Sequence, residues 1–249
     1  MTDERIRSLR RWNLGAGILH LAQGILVVIL SNGFSLPVTA TFLADAPGLQ
    51  PPRLVALFEL DLGWGVATFL FLSALAHFLI VSPAVFDRYV AQLERRRNYA
   101  RWIEYSLSAS VMVVLIAMLT GISDIAALVA IFGVNASMIL FGLLQEKYED
   151  PGGGWMPFWF GTIAGAVPWV VIGIFIWSPT VPESPPAFVY AIFVTLFVFF
   201  NSFAVNMVLQ YRRTGRWRDY AFGEFVYVLL SLTAKSALAW QVFAGALAA

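Results

Sequence analysis

The chain reads as an all-α integral membrane protein: a bundle of seven transmembrane helices with a β-hairpin between the first two. Three observations predict this class. Of 249 residues, 59% are hydrophobic and 12% are charged, about half the charged share of a soluble domain. Apolar segments long enough to cross a hydrocarbon core recur along the whole chain, with no long linker between them, so one domain over 1–249 is expected. The lysines and arginines, finally, fall almost entirely on one side of the alternating connections. Net charge is +1 and cysteine is absent. Bulk charge therefore suggests no nucleic-acid partner, and disulfides and thiolate metal sites are excluded.

The expected spans are Trp12–Leu30, Leu54–Ser82, Ala100–Leu119, Ile125–Gln145, Trp155–Trp177, Pro186–Tyr211 and Tyr220–Leu247. Each approaches or exceeds the roughly 20 residues that cross about 30 Å as helix. The first twelve residues are charged and no small-residue cleavage site follows, so no signal peptide is read and span one itself directs insertion. The connection Ser31–Arg53 alternates and carries β-branched residues through Val38-Thr39-Ala40-Thr41-Phe42 before Pro47-Gly48, which predicts a short extracellular β-hairpin; an irregular ordered loop is the alternative. Gly121 can close span three and Ser123 can cap span four. Pro151-Gly152-Gly153-Gly154 separates spans four and five, and Pro179, Pro182, Pro185 and Pro186 separate five and six. Pro168 falls inside span five, where neighbouring helices can satisfy the carbonyl it frees. Gly161 and Gly165 form a G-x-x-x-G run that permits close helix contact, within the bundle or between protomers.

Orientation follows from the sixteen Lys and Arg residues. Fourteen lie before span one, between spans two and three (taken to the end of the juxtamembrane cluster at Arg101), after span four and after span six, all on one face if the chain crosses seven times. Arg53 stands alone on the other, and Lys235 lies within span seven. The positive-inside rule assigns the rich face, and with it the N-terminus, to the cytoplasm, and the C-terminus to the outside.

Ionisable groups inside spans need a reason. Lys235 sits about mid-bilayer, too deep to snorkel to either surface. Either it is a structural lysine paired with a carboxylate, or it is an amine that condenses with an aldehyde to a Schiff base. Seven helices with a lone lysine in the seventh point to retinal as that aldehyde. A protonated Schiff base needs an anion, and Glu104 is the only carboxylate well inside span three. Arg101, three residues earlier on the same face, can hold Glu104 ionised and close the cytoplasmic side; alternatively Glu104 is an interfacial acid paired with Arg101 alone. His20 in span one and His77 in span two both fall in the cytoplasmic half, with Ser73 four residues before His77 on its face. Such a cluster can accept and return a proton. Histidines satisfied by backbone carbonyls, or a zinc site of two histidines and a glutamate, are the other readings. Interfacial solvation accounts for Glu59 and Asp61 at the outer end of span two and for Glu224 at the inner end of span seven.

Several stretches carry a family resemblance: Arg101-Trp102-Ile103-Glu104-Tyr105-Ser106, the run from Ala130 through Asn135 and Met138 to Gly142, Pro157-Phe158-Trp159-Phe160-Gly161, Phe199-Phe200-Asn201-Ser202-Phe203-Ala204, and Ser231 through Lys235 to Trp240-Gln241. Along nearly its full length the chain resembles the heliorhodopsins. That resemblance implies a rhodopsin-like photoreceptor that binds all-trans-retinal covalently and isomerises it with light. It implies membrane orientation inverted relative to ordinary microbial rhodopsins, which the arginine count reaches independently. The Schiff-base lysine then matches Lys235, the counterion Glu104, a nearby helix-seven serine Ser231, and the cytoplasmic-side histidines His20 and His77. Retinal-pocket positions match Tyr105, Asn135, Met138, Trp159, Phe200 and Trp240. The family is dimeric, has a slow photocycle, generally transports no ions and is regarded as sensory; its signalling partner is not named by the sequence. One departure is visible: the family often has consecutive serines after the counterion, whereas Ser108 is followed here by Ala109, which bears on colour and photocycle rather than on the chromophore.

Between a sensor and a light-driven proton pump or channel, the residues favour the sensor. A pump wants a second buried carboxylate on the opposite side of the Schiff base, and beyond Glu104 span three offers only apolar, aromatic and hydroxyl side chains up to Thr120. A membrane enzyme regulated by light ranks last, for want of an attached soluble domain or nucleophilic motif.

Overall fold

Helix α1 (Asp3–Leu30) opens the chain in the computed structural model, which describes residues 3–178 and 184–248; Pro179 and Pro182, expected to break the chain between spans five and six, lie outside these. The helix begins nine residues before the expected start of span one, because Arg and Glu are good helix formers and carry it out past the apolar stretch. At that end Arg5 pairs with Asp219, and Arg10 donates to the Val81 carbonyl at 3.0 Å.

The expected hairpin is present, with a second strand from an unexpected place. Strand β1 (Ser35–Phe42) pairs antiparallel with β2 (Arg53–Asp61), the register slipping between Val38 and Thr39. Residues 54–61 therefore belong to the hairpin, and α2 (Leu62–Val81) starts eight residues after the expected start of span two. Leu54-Val55-Ala56-Leu57-Phe58 is as apolar as the helix that follows, so hydropathy alone runs the two together. Asp61 marks the true boundary: its carboxylate caps α2 by accepting from the Trp64 amide at 2.9 Å. Glu59 sits in β2 opposite Pro37. Neither acid lies in helix two as expected.

An amphipathic helix that the apolar pattern did not announce, α3 (Pro83–Glu94), joins spans two and three. It presses Tyr89 and Leu93 against Leu9 and Ala221. Helix α4 (Tyr99–Leu119) is capped by Asn98, whose side-chain oxygen accepts from the Arg101 amide at 3.1 Å. It ends at Gly121, in the left-handed conformation (φ +98°) that favours glycine. The cap of α5 (Ile125–Tyr148) is Asp124 rather than the expected Ser123; its carboxylate accepts from the Ala126 amide at 2.9 Å. Ser123 instead ties the hairpin down: its carbonyl accepts from the Thr39 amide at 2.8 Å, and the two hydroxyls lie 3.0 Å apart. Lys147 is in the last turn of α5, not in a loop.

Helix α6 (Met156–Ile176) contains Pro168, buried. Its G-x-x-x-G run faces α5: a Cβ on Gly161 would fall 3.1 Å from the Met138 carbonyl oxygen and from Phe141 Cβ. The close approach thus serves packing within the chain. Helix α7 (Ala187–Tyr211), a 3₁₀ turn (Gly215–Arg218) and α8 (Tyr220–Val242), prolonged by a π-helical turn over Phe243–Leu247, complete the bundle.

Seven of these helices are long and apolar enough to cross a membrane. Large apolar side chains such as Ile29, Leu75, Val129, Ile163, Ile174 and Val198 remain more than half exposed, as lipid-facing positions should. The buried core, including Leu62, Phe69, Ile116, Ile172, Leu196 and Leu238, fills the interior. The molecule has two distinct ends: the hairpin end, and the arginine-rich end where α3 and the α5–α6 and α7–α8 connections meet.

Candidate functional site

Lys235 lies fifteen residues into α8, and its buried ammonium is the meeting point of three helices. Nζ donates to Glu104 Oε1 of α4 at 2.9 Å and to Ser231 Oγ, one turn earlier on its own helix, at 2.8 Å. The same carboxylate oxygen accepts from Ser73 Oγ of α2 at 2.6 Å. Nζ also stands 4.9 Å from the ring centre of Tyr105, whose hydroxyl donates to the Tyr227 carbonyl at 2.9 Å. Four of the residues read from the sequence are thereby brought into one hydrogen-bonded group. An unpaired cation at this depth would be strongly unfavourable. Glu104 cancels its charge, and the two serines hold the pair in register.

Beside the ammonium lies an apolar cavity with few polar groups on its wall, the usual composition of a small-molecule site. Tyr105, Met112, Met138, Phe200 and Phe203 wall it, with Lys235 and Ser231 as its polar end. Gly142 and Gly161 keep it open; a Cβ on Gly142 would lie 2.5 Å from the Trp102 ring. A long polyene aldehyde needs such a space: apolar along its length, aromatic on its faces, with one amine at its end.

Three of the pocket positions implied by family resemblance are not on this wall. Asn135 is buried between α5 and α4, donating to Ser110 Oγ at 3.0 Å. Trp159 is 60% exposed, because one step along α6 from the wall residue Phe158 turns a side chain outward. Trp240 faces α1, its indole donating to Gln23 Oε1 at 3.0 Å. The wall uses Trp102, Met112, Phe203 and Met207 instead. Phe203 was within reach of sequence reasoning, since it follows Phe200 by three residues on the same helical face.

His20 and His77 stack with ring centres 5.7 Å apart. Neither is satisfied by a backbone carbonyl. His77 Nδ1 lies 2.9 Å from Asn13 Oδ1, while the Asn13 amide nitrogen donates to the Leu9 carbonyl at 2.8 Å. The oxygen of Asn13 is thus the atom presented to the ring, so Nδ1 carries the proton and Nε2 is the basic nitrogen. Neither ring nitrogen of His20, fully buried, has a hydrogen-bond partner. A second cavity, of about 390 Å³, is bordered by Asn13, His77, Glu104, Arg101 and Glu224, and so connects the histidine side to the counter-charge of Lys235. The described residues contain no group of three or more His, Cys, Asp or Glu that could hold a metal ion.

Arg101 does not hold Glu104. Its guanidinium turns toward the arginine-rich end, donating to Glu146 Oε1 at 2.9 Å and to Glu224, and lies 3.8 Å from the Tyr227 ring centre. Around it, the Asn98 amide nitrogen of the side chain donates to Glu224 Oε2 at 2.7 Å, the Trp102 indole to Glu146 Oε2 at 2.6 Å, and the Tyr220 hydroxyl to Glu146 Oε1 at 2.8 Å. Glu224 is buried in this cluster rather than solvated at an interface. Spacing along one helix brought Arg101 and Glu104 to one face, but a guanidinium with two carboxylates on neighbouring helices follows those instead. Sequence reasoning missed Glu146, Asn98 and Asn13. An acid following Leu143-Leu144-Gln145 was the available clue to Glu146.

A seven-span bundle whose last helix presents a carboxylate-paired lysine to an apolar cavity has the construction of rhodopsin-type photoreceptors. A family model described as Heliorhodopsin matches residues 9–247, and the chain belongs to that family. No curated protein matches it.

Proposed function

We propose that the protein is a light sensor that transports no ions, carrying all-trans-retinal on Lys235 through a protonated Schiff base with Glu104 as counterion. The observation that carries this reading is the Lys235–Glu104 pair, closed by Ser231 and Ser73, at the polar end of an apolar cavity. Retinal supplies light absorption and a change of shape. The chain supplies the rest. Lys235 fixes one end of the chromophore. Tyr105, Met138 and Phe200 exclude water from the cavity. With retinal linked there, Glu104 and Ser231, which now accept from the ammonium, would hold the one proton left on that nitrogen. Separating that nitrogen from Glu104 weakens the hold on its proton.

His77, which borders the cavity shared with Glu104, and His20, stacked on it, are the groups that would take up that proton on the arginine-rich side. Between Lys235 and the hairpin end, the described span residues include no Asp, Glu, His, Lys or Arg, so no relay continues that way. A proton that leaves toward the histidines returns from them, which suits a slow photocycle without net transport and a sensor rather than an enzyme. The arginine distribution supports a cytoplasmic N-terminus and an extracellular C-terminus, and family membership supports a homodimer.

The test is spectroscopic. Full-length protein regenerated with all-trans-retinal should absorb in the visible, and Lys235→Ala protein, washed after the same treatment, should be colourless. A visible, hydroxylamine-sensitive band retained by that variant contradicts the assignment.

A further inference from the structure

The arginine-rich end carries a third cavity, remote from the lysine: a cleft of about 500 Å³ where the α3–α4, α5–α6 and α7–α8 connections meet. Arg95, Arg96, Arg97, Arg213 and Arg218 border it. Among the described residues, none of the five has a carboxylate partner, although Glu146, Glu149 and Asp150 border the same cleft. Glu146 is bound to Arg101, Trp102 and Tyr220, and Glu149 accepts from the Gly154 amide at 2.7 Å. Five arginines thus face two carboxylates that no cation pairs, Glu149 and Asp150, and the cleft keeps a net positive charge.

The backbone adds an independent observation. Arg96 and Arg213 are the two non-glycine residues with positive φ among those described, at +57° and +49°. Each follows the end of a helix, α3 and α7, at the kind of position where glycine is the unstrained choice. Arginine at both, bordering one cleft, stands where glycine would relieve the backbone. The guanidinium fork matches the oxygens of a phosphoryl group better than any other side chain.

We propose that this cleft binds a phosphate-class oxyanion, supplied either by the headgroup of an anionic lipid or by a soluble phosphate compound.

The experiment uses the full chain regenerated with retinal, in phosphatidylcholine nanodiscs titrated with inorganic pyrophosphate by calorimetry. One saturable site per chain is expected, weakening as salt is raised. The pair Arg96→Gly, Arg213→Gly removes two cations while giving the backbone the residue it favours, so thermal stability and spectrum should hold while affinity falls by about tenfold or more. The pair Arg7→Ala, Arg11→Ala removes equal charge elsewhere on the same face and should change affinity by no more than about twofold. Native mass spectrometry from nanodiscs containing phosphatidylglycerol separates the sources. One lipid retained by the wild type and none by the glycine pair assigns a headgroup; none on either assigns a soluble anion. Absence of saturable pyrophosphate binding, equal binding in the glycine pair, or an equal loss in the Arg7/Arg11 pair overturns the proposal.

Discussion

Glu104 shows how much one side chain decides. Its carboxylate faces Lys235 and Ser73 rather than the nearer arginine in sequence, and it is the sole acid within hydrogen-bonding distance of the ammonium among the described residues. Glu104→Gln should therefore leave the Schiff base without its main stabilising charge and move the absorption from the visible to the near-ultraviolet at neutral pH, in chloride-free buffer. An unchanged spectrum there points to a different counterion. The histidines make a second expectation at this scale. With Asn13 fixing the Nδ1 proton of His77 and His20 stacked behind it, the double variant His20→Ala, His77→Ala should alter the rise or decay of the light-induced near-ultraviolet absorbance. Unaltered kinetics return both rings to a packing role. Lys235, Glu104, Ser73 and the histidines stood out because intramembrane polar groups are few and each demands a reason, whereas Ser231 came from the family resemblance. The partners of Arg101 were not, since Glu146 and Glu224 are 45 and 123 residues away and only the fold brings them together.

Elements were legible where apolar length alone defines them. Spans three to seven fall within a few residues of their expected limits, and Gly121 ends α4 as its conformational freedom suggests. The failures have a common physical origin, in that hydropathy does not distinguish a strand from a helix. Residues 54–58 are apolar enough for either, and only the Asp61 cap and the pairing with β1 decide. Helix α3 was hidden for the opposite reason: it is short, charged and held by two side chains, Tyr89 and Leu93. What fastens the elements at the arginine-rich end is the Arg101 cluster, which joins α4 to α5 and α8. Arg101→Ala leaves Glu146 and Glu224 buried without their cation, so it should destabilise the protein by about 3–5 kcal/mol. Thermal unfolding in detergent measures this; a melting temperature equal to wild type would mean the cluster is dispensable.

The whole molecule has an asymmetry that no single element shows. His20, His77, Glu104, Arg101, Glu146 and Glu224 all lie at or on the arginine-rich side of Lys235, and apolar packing fills the other. A homodimer is expected on family grounds, and mass measurement in nanodiscs should find two chains; a clean monomer across concentrations and lipids counts against it. The central claim, that light moves a proton within the protein and back without carrying it across, rests on that asymmetry. Cells expressing the retinal-loaded protein, illuminated in unbuffered medium with a pH electrode, test it most directly. The account predicts no light-induced external pH change that a protonophore abolishes; a sustained, protonophore-sensitive change would contradict it and make the protein a pump.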